Sequence, residues 1–223
     1  MIIVFDLDDT LFCEYDYVKS GFVCVSKPLS AIVHKQPNII LNELLTILRH
    51  DGRGEIFNTY LTKHGIYSKK LVNRMVSEYR KHRPNICLTF DARATLEQLQ
   101  SKQPLYLVTD GNKIVQENKI EALGLKPYFK RIFITHRFGL AASKPSLHCF
   151  EIIKRVEGVD WEKIIYIGDD PKKDFINLKK VGAKTIRLRV GRFKDITLDS
   201  KHEAQWEITR LSELSELLDI LNE

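Results

Sequence analysis

The chain opens Met1-Ile2-Ile3-Val4-Phe5-Asp6-Leu7-Asp8-Asp9-Thr10. Four apolar residues, most of them β-branched, give way at once to an acidic turn. The run is too short for a helix and reads as a buried strand that stops at Asp6. Two carboxylates, Asp6 and Asp8, just past a buried strand are costly unless a cation neutralises them. Mg2+ suits the position, because it takes a few carboxylates and fills its remaining sites with water and phosphate oxygens. An acidic loop that ends in a helix cap is the plainer reading of this stretch taken alone.

Beyond this strand the periodicity changes. Residues from about 14 to 83 are helical and amphipathic, with Ile39-Ile40-Leu41, Leu44-Leu45 and Leu48 on one spacing and Val72, Met75, Val76 and Tyr79 on another. After Pro84, short apolar runs alternate with helical segments. Asp91 caps a helix to about Gln100, Leu105 to Val108 is a strand, and Asn112 to Leu123 is a helix ended by Gly124. Arg131 to Ile134 is a strand, and Pro145 opens a helix to about Glu157. Lys163 to Ile167 is a strand, Pro171 to Val181 a helix, and Lys184 to Leu188 a strand. Gln205 to Ile208 forms a short last strand and Leu211 to Leu221 a last helix. Alternating strands and helices predict an α/β, Rossmann-like parallel sheet with helices on both faces.

Composition agrees with an ordinary folded chain. Hydrophobic residues are 43% of 223, enough for a core, while 11 Gly and 7 Pro exclude collagen-like and low-complexity architectures. No apolar run approaches the length of a membrane span, and the first residues lack the basic start of a signal peptide. A cytoplasmic protein with no membrane partner is expected. The net charge is +6, but Lys69-Lys70, Lys172-Lys173 and Lys179-Lys180 are pairs rather than a stripe interleaved with aromatics. A nucleic-acid partner is therefore not expected. The cysteines, Cys13, Cys24, Cys87 and Cys149, form no C-x-x-C pair and read as reduced thiols.

In parallel sheets the ligand site lies beyond the carboxyl ends of the strands. The polar residues that fall there are Asp6 and Asp8, Thr109-Asp110, Thr135 and Asp169-Asp170, and Lys144 precedes the helix leading back to the fourth strand. Val108-Thr109-Asp110-Gly111 offers a hydroxyl and backbone N–H groups at a helix start, which suits an anion or serves as a simple cap. Lys144 offers a point charge for a phosphoryl group. Asp170 reads as a helix cap, which leaves Asp169 unexplained by local structure.

Four stretches taken in order, DLDDT at 6–10, VTDG at 108–111, SKP at 143–145 and GDDPKKD at 168–174, resemble the haloacid dehalogenase superfamily of aspartate-nucleophile hydrolases. The resemblance implies a Rossmann-like core over 1–14 and 85–223 and an inserted helical cap over 15–84. It also implies hinge strands near Cys13 to Asp16 and Pro84 to Phe90. It makes Asp6 the nucleophile and Asp8 the acid and base. Asp6, the backbone carbonyl of Asp8, and Asp169 would hold Mg2+. Thr109, Asp110 and Lys144 would bind the phosphoryl group, and Asp170 and Asp174 would support the lysine or the metal from behind. Retention of Asp8 disfavours dehalogenation.

The activity implied is a Mg2+-dependent phosphatase acting on a small phosphorylated metabolite, such as a sugar phosphate, a nucleoside monophosphate or a phosphoglycolate-like acid, through an aspartyl phosphate. The protein would act as a monomer or homodimer. A phosphosugar mutase, a phosphonatase and a non-catalytic phospholigand-binding protein are the alternatives. Tyr15, Tyr17 and Lys19, just after the first motif, are candidate substrate contacts. The face of the first cap helix is their plainer role.

Overall fold

The computed structural model describes residues 1–221. Six strands form one parallel sheet in the order β3-β2-β1-β4-β5-β6. They are β1 (Ile2–Phe5), β2 (Leu105–Thr109), β3 (Arg131–Ile134), β4 (Ile164–Gly168), β5 (Lys184–Leu188) and β6 (Trp206–Ile208). β1 is central, with Ile3 opposite Leu105 on one side and Ile165 on the other. The strand order reverses across β1, so the ends of β1, β2 and β4 share one edge of the sheet.

Nine α-helices are found among the described residues: α1 (Glu14–Val33), α2 (Pro37–Asp51), α3 (Ile56–Lys63), α4 (Lys69–Lys81), α5 (Phe90–Leu99), α6 (Lys113–Ala122), α7 (His148–Glu157), α8 (Ile176–Lys180) and α9 (Leu214–Ile220). None is long and apolar enough to cross a membrane. The chain divides into two compact units, Tyr15–Ile86 and the remainder from Met1–Glu14 and Cys87 onward.

In the sheet unit, successive strand residues alternate faces and both faces are buried. Ile2, Val4, Tyr106, Val108, Ile164 and Tyr166 pack with Cys149, Phe150 and Ile153 of α7 and with Leu178 of α8. The alternate residues Ile3, Phe5, Leu105, Leu107, Ile165 and Ile167 are equally enclosed. This explains the unbroken apolar runs that mark these strands in the sequence.

The helical unit contains α1 beyond Glu14 and all of α2, α3 and α4. Its interior is aromatic: Phe22 meets Phe57, and Tyr79 meets Tyr17, Phe22 and Phe57. The stripe of α2 is Ile40, Leu44 and Ile47, whereas Ile39 is exposed. In α4 only Met75 is fully buried.

Several boundaries differ from the sequence expectation. Thr89, not Asp91, caps α5, its hydroxyl accepting from Ala92 N at 3.1 Å. α7 begins at His148 rather than at Pro145, because the Lys144 amide donates to Asp110 and the turn before the helix closes on Ser146. α8 begins at Ile176 rather than at Pro171. A closed turn, with Asp174 N on the Asp170 carbonyl and Asp170 N on the Asp174 carboxylate, holds 170–174 out of the helix. The last helix is α9 preceded by a separate 3-10 turn. The expected hinge strands are absent: Asp9 Oδ1 accepts from Glu14 N at 2.8 Å and starts α1 there, and 83–89 carry no strand.

Arg187 on β5 is fully buried, which needs an explanation. Its guanidinium pairs with Glu203 at 2.6 Å and donates to the carbonyls of Phe193 and Ile196. It thereby anchors the loop that follows β5. Arg187→Met keeps the stem but leaves Glu203 Oε2 and the Phe193 carbonyl without a donor, while Leu198 N still reaches Glu203 and Arg189 still reaches the Ile196 carbonyl. A loss of about 3–5 kcal/mol is expected in urea denaturation, and a loss under about 1 kcal/mol would contradict this role.

Candidate active site

Asp6 leaves β1 with its amide donating to the Ile167 carbonyl at 2.8 Å, so its position is fixed by the sheet itself. Leu7 folds back through bonds from Thr10 N and Leu11 N to its carbonyl. This makes the tight acidic turn. Asp9 takes the left-handed conformation at its centre, with φ of 50°, and is held by two amides. Glu14 N bonds its Oδ1, and Arg192 N bonds its Oδ2 at 3.1 Å. Gly191, with φ of 62°, is required beside it, because a Cβ there would overlap the Asp9 carboxylate.

Asp169 and Asp170 follow β4 at the same edge. One carboxylate oxygen from each of Asp6, Asp169 and Asp174 lies within 4.8 Å of the others, and all three residues are buried. Lys144 is their counter-charge. Its ammonium is 3.0 Å from Asp6 Oδ1, 2.8 Å from Asp174 Oδ1 and 2.7 Å from the Tyr166 hydroxyl. Burial opposes the lysine's charge, yet Asp174 and Asp6 hold its pKa well above the ordinary value. Asp174 is fully engaged, since it also accepts from Tyr166 and from Asp170 N. It braces the lysine from behind.

The two remaining carboxyls of the trio are strongly perturbed. Burial raises Asp6 to about 7 against the lowering effect of Lys144. Burial, then Asp174, then Asp6, raises Asp169 to about 9. The cavity wall contains seven acidic residues (Asp6, Asp8, Asp9, Glu14, Asp110, Asp169 and Asp170) and two cations, Lys173 and Arg192. Such a cavity repels an anionic substrate unless a divalent cation inverts its field. Oxygen donors grouped this closely fit Mg2+. Asp6 and Asp169 are the side chains of the trio that could hold such an ion.

Other expected residues fall as follows. Thr109 ends β2, fully buried, and its hydroxyl accepts from Gln116 Nε2 at 2.7 Å. Neither Thr109 nor Lys144 is on the cavity wall; they lie with the buried groups of the site. Asp110 does not offer a side-chain donor. Its carboxylate accepts from Thr135, Lys144 N and Lys173. Burial would raise it, but Lys144 and Lys173 hold it below the usual carboxylate value. An ionised carboxylate repels phosphoryl oxygens, so its side chain acts as a tie between β2, β3 and the Lys144 loop. Asp170 caps the turn at Lys172 N rather than a helix.

In the helical unit, Tyr17 is buried against Tyr79 and His82. Its ring belongs to that interior. Tyr15 and Lys19 are exposed.

The sequence reading missed Tyr166, Lys173, Gln116 and Lys119. Tyr166 lies within an apolar strand run, Lys173 lies in GDDPKKD, and Gln116 and Lys119 lie on the expected helix from Asn112 to Leu123 with no motif to mark them. Asp8 departs from the metal trio and turns toward that helix, with Lys119 Nζ 2.6 Å from its Oδ1 and Gln116 Nε2 2.9 Å from its Oδ2.

The pKa directions give a test. A carboxyl raised in the fold binds its proton more tightly folded than unfolded. Its contribution to stability is therefore fullest below its unfolded value, and is lost as pH climbs through about 7 for Asp6 and about 9 for Asp169. A cation that displaces those protons reverses the loss. The rise in Tm on adding Mg2+, read by scanning fluorimetry, is expected to grow between about pH 6 and about pH 9. A rise that shrinks or stays level contradicts a Mg2+ site here.

The profile of haloacid dehalogenase-like hydrolases matches residues 3–188. A glyceraldehyde 3-phosphate phosphatase of Methanocaldococcus jannaschii is 27% identical, over 98% of this chain and 96% of the relative. One of Pyrococcus furiosus is 30% identical, over 98% and 92%. Among solved structures, the hydrolase YfnB of Bacillus subtilis, determined with bound magnesium, superposes with a TM-score of 0.67 at 20% identity, covering 100% of this chain and 98% of that one. A parallel sheet whose central strand ends in paired carboxylates, a lysine bridging two of the buried acids, and a profile match over most of the chain agree: this chain belongs to the haloacid dehalogenase-like hydrolase family.

Proposed function

We propose that the protein is a Mg2+-dependent phosphatase of small phosphorylated metabolites that works through an aspartyl phosphate on Asp6. The observation that carries this reading is the bridging of Asp6 by Lys144, which fixes one carboxylate oxygen of Asp6 at the end of the central strand. A positioned carboxylate is a competent nucleophile once its negative charge is maintained. Asp8 supports the same reading, because a second carboxylate two residues on supplies the proton transfer that ester hydrolysis needs.

The chemistry proceeds in two displacements. An oxygen of Asp6 attacks phosphorus in line, the bond from phosphorus to the ester oxygen breaks, and Asp8 gives its proton to the departing alkoxide. Water then attacks phosphorus and passes a proton to Asp8, the bond to Asp6 breaks, and inorganic phosphate leaves. The family resemblance assigns the phosphoryl oxygens to Thr109 and Lys144, which lie behind the cavity wall. The Thr109 hydroxyl accepts from Gln116, which directs its own hydrogen toward another acceptor. Lys173 and Arg192 add positive charge at the cavity wall. Mg2+, held by Asp6, Asp169 and the backbone carbonyl of Asp8, would neutralise charge on the transferring group when bound.

The relatives named glyceraldehyde 3-phosphate phosphatases span nearly the whole chain, so a triose phosphate is the first substrate to try. Tyr15 and Lys19 are exposed candidates for reading the organic part. Phosphate release from glyceraldehyde 3-phosphate, phosphoglycolate and nucleoside monophosphates is expected with Mg2+ and not with chelator. Asp6→Asn, nearly isosteric, is expected to lower kcat by at least about 1,000-fold while leaving Tm within a few degrees. Wild-type turnover by that variant would remove Asp6 from the role.

A further inference from the structure

A lysine inside a helix, 3% exposed, is a costly thing to bury. Lys119 is such a residue, on α6, and its ammonium lies 2.6 Å from Asp8 Oδ1 and 5.8 Å from the centre of the Phe12 ring. Gln116, three residues earlier and so on the same helix face, is 1% exposed. Its amide nitrogen reaches Asp8 Oδ2 at 2.9 Å and Thr109 Oγ1 at 2.7 Å. Each oxygen of Asp8 thus has its own donor, and one of those donors also fixes the residue that ends β2.

The local backbone is arranged for this. Asn112 caps α6 through Ile114 N and Val115 N, which fixes where the helix starts. Gly111, with φ of 140°, precedes it, and a Cβ there would lie 3.1 Å from Gln116 Cγ and Cδ. Glycine at this turn therefore leaves the space through which Gln116 reaches β2 and the acidic turn. A helix that only covered the sheet would place apolar side chains at both positions.

We infer that Gln116 and Lys119 are positioning residues for Asp8, and that α6 fixes the direction its carboxyl group faces. The inference rests on the phosphatase reading above. It is distinct from substrate binding, because the pair acts on the carboxylate and not on the phosphoryl group. The bond that breaks is the one from phosphorus to the ester oxygen, and the proton from Asp8 goes to that oxygen. A good leaving group departs without the proton, so misdirecting Asp8 harms basic leaving groups most.

The test is kcat/KM, which reports the step that releases the alcohol, for p-nitrophenyl phosphate, phenyl phosphate and glycerol 3-phosphate in Mg2+. Lys119→Met is expected to lower kcat/KM at least about 30-fold for the most basic leaving group and under about 5-fold for nitrophenolate. The fall should come through kcat with little change in KM, and Lys119→Arg should restore most of it. Gln116→Leu carries the same expectation should Lys119→Met fail to fold. Equal losses in kcat/KM across the esters, or no loss, would overturn the inference while leaving the phosphatase reading intact. Wild-type protein that releases phosphate from none of the three esters would overturn both.

Discussion

Everything at this sheet edge depends on one buried ammonium group. Asp6, Asp169 and Asp174 converge within 4.8 Å, and Lys144 stands between two of them. Three carboxylates in so small a volume repel one another strongly, and burial multiplies the effect. Lys144, with a smaller share from Lys173, offsets part of it and leaves Asp6 and Asp169 raised toward neutrality. The remaining imbalance is what a bound divalent cation would offset. Structural strain and chemical purpose therefore have one source.

The sheet order makes this convergence possible. With β1 central and flanked by β2 and β4, the turns after three strands share one edge. Residues far apart in sequence arrive together without long loops, at the place where open parallel sheets bind ligands. The loop after β5 completes the rim, with Arg187 fixing its backbone from below and Arg192 N bonded to Asp9. The acidic turn is thus held from β4 through Asp6 N, from α6 through Asp8 and from this loop through Asp9. Such over-determination fixes the Asp6 carboxylate at the sheet edge, as the proposed nucleophilic role requires.

Much of this was legible in the sequence, for definite reasons. Strands buried on both faces are continuous apolar runs, so the run from Ile2 to Phe5 and that from Ile164 to Ile167 announced themselves. Asp6, Asp8 and Asp169 stand out because charged residues at strand ends have few structural explanations, whereas Lys144 is marked only by its place in the order of the four motifs. Helix starts were less readable. Asp170 and Asp174 close a turn on each other, which no helical pattern anticipates, and Asp110 draws the Lys144 amide away from a helical conformation. Gln116 and Lys119 were hidden because polar residues on an amphipathic helix ordinarily face water. Only the packing of α6 shows that this polar stripe points inward.

The proposed chemistry is covalent at Asp6. Its most direct test is to mix the protein with substrate and Mg2+, quench in acid within one turnover, and reduce with borohydride. An aspartyl phosphate is an acyl phosphate and is reduced to an alcohol, so peptide mass spectrometry should find Asp6 converted to homoserine. That conversion should require both substrate and metal. Phosphate release without any conversion at Asp6, or conversion at Asp8 instead, would contradict the account.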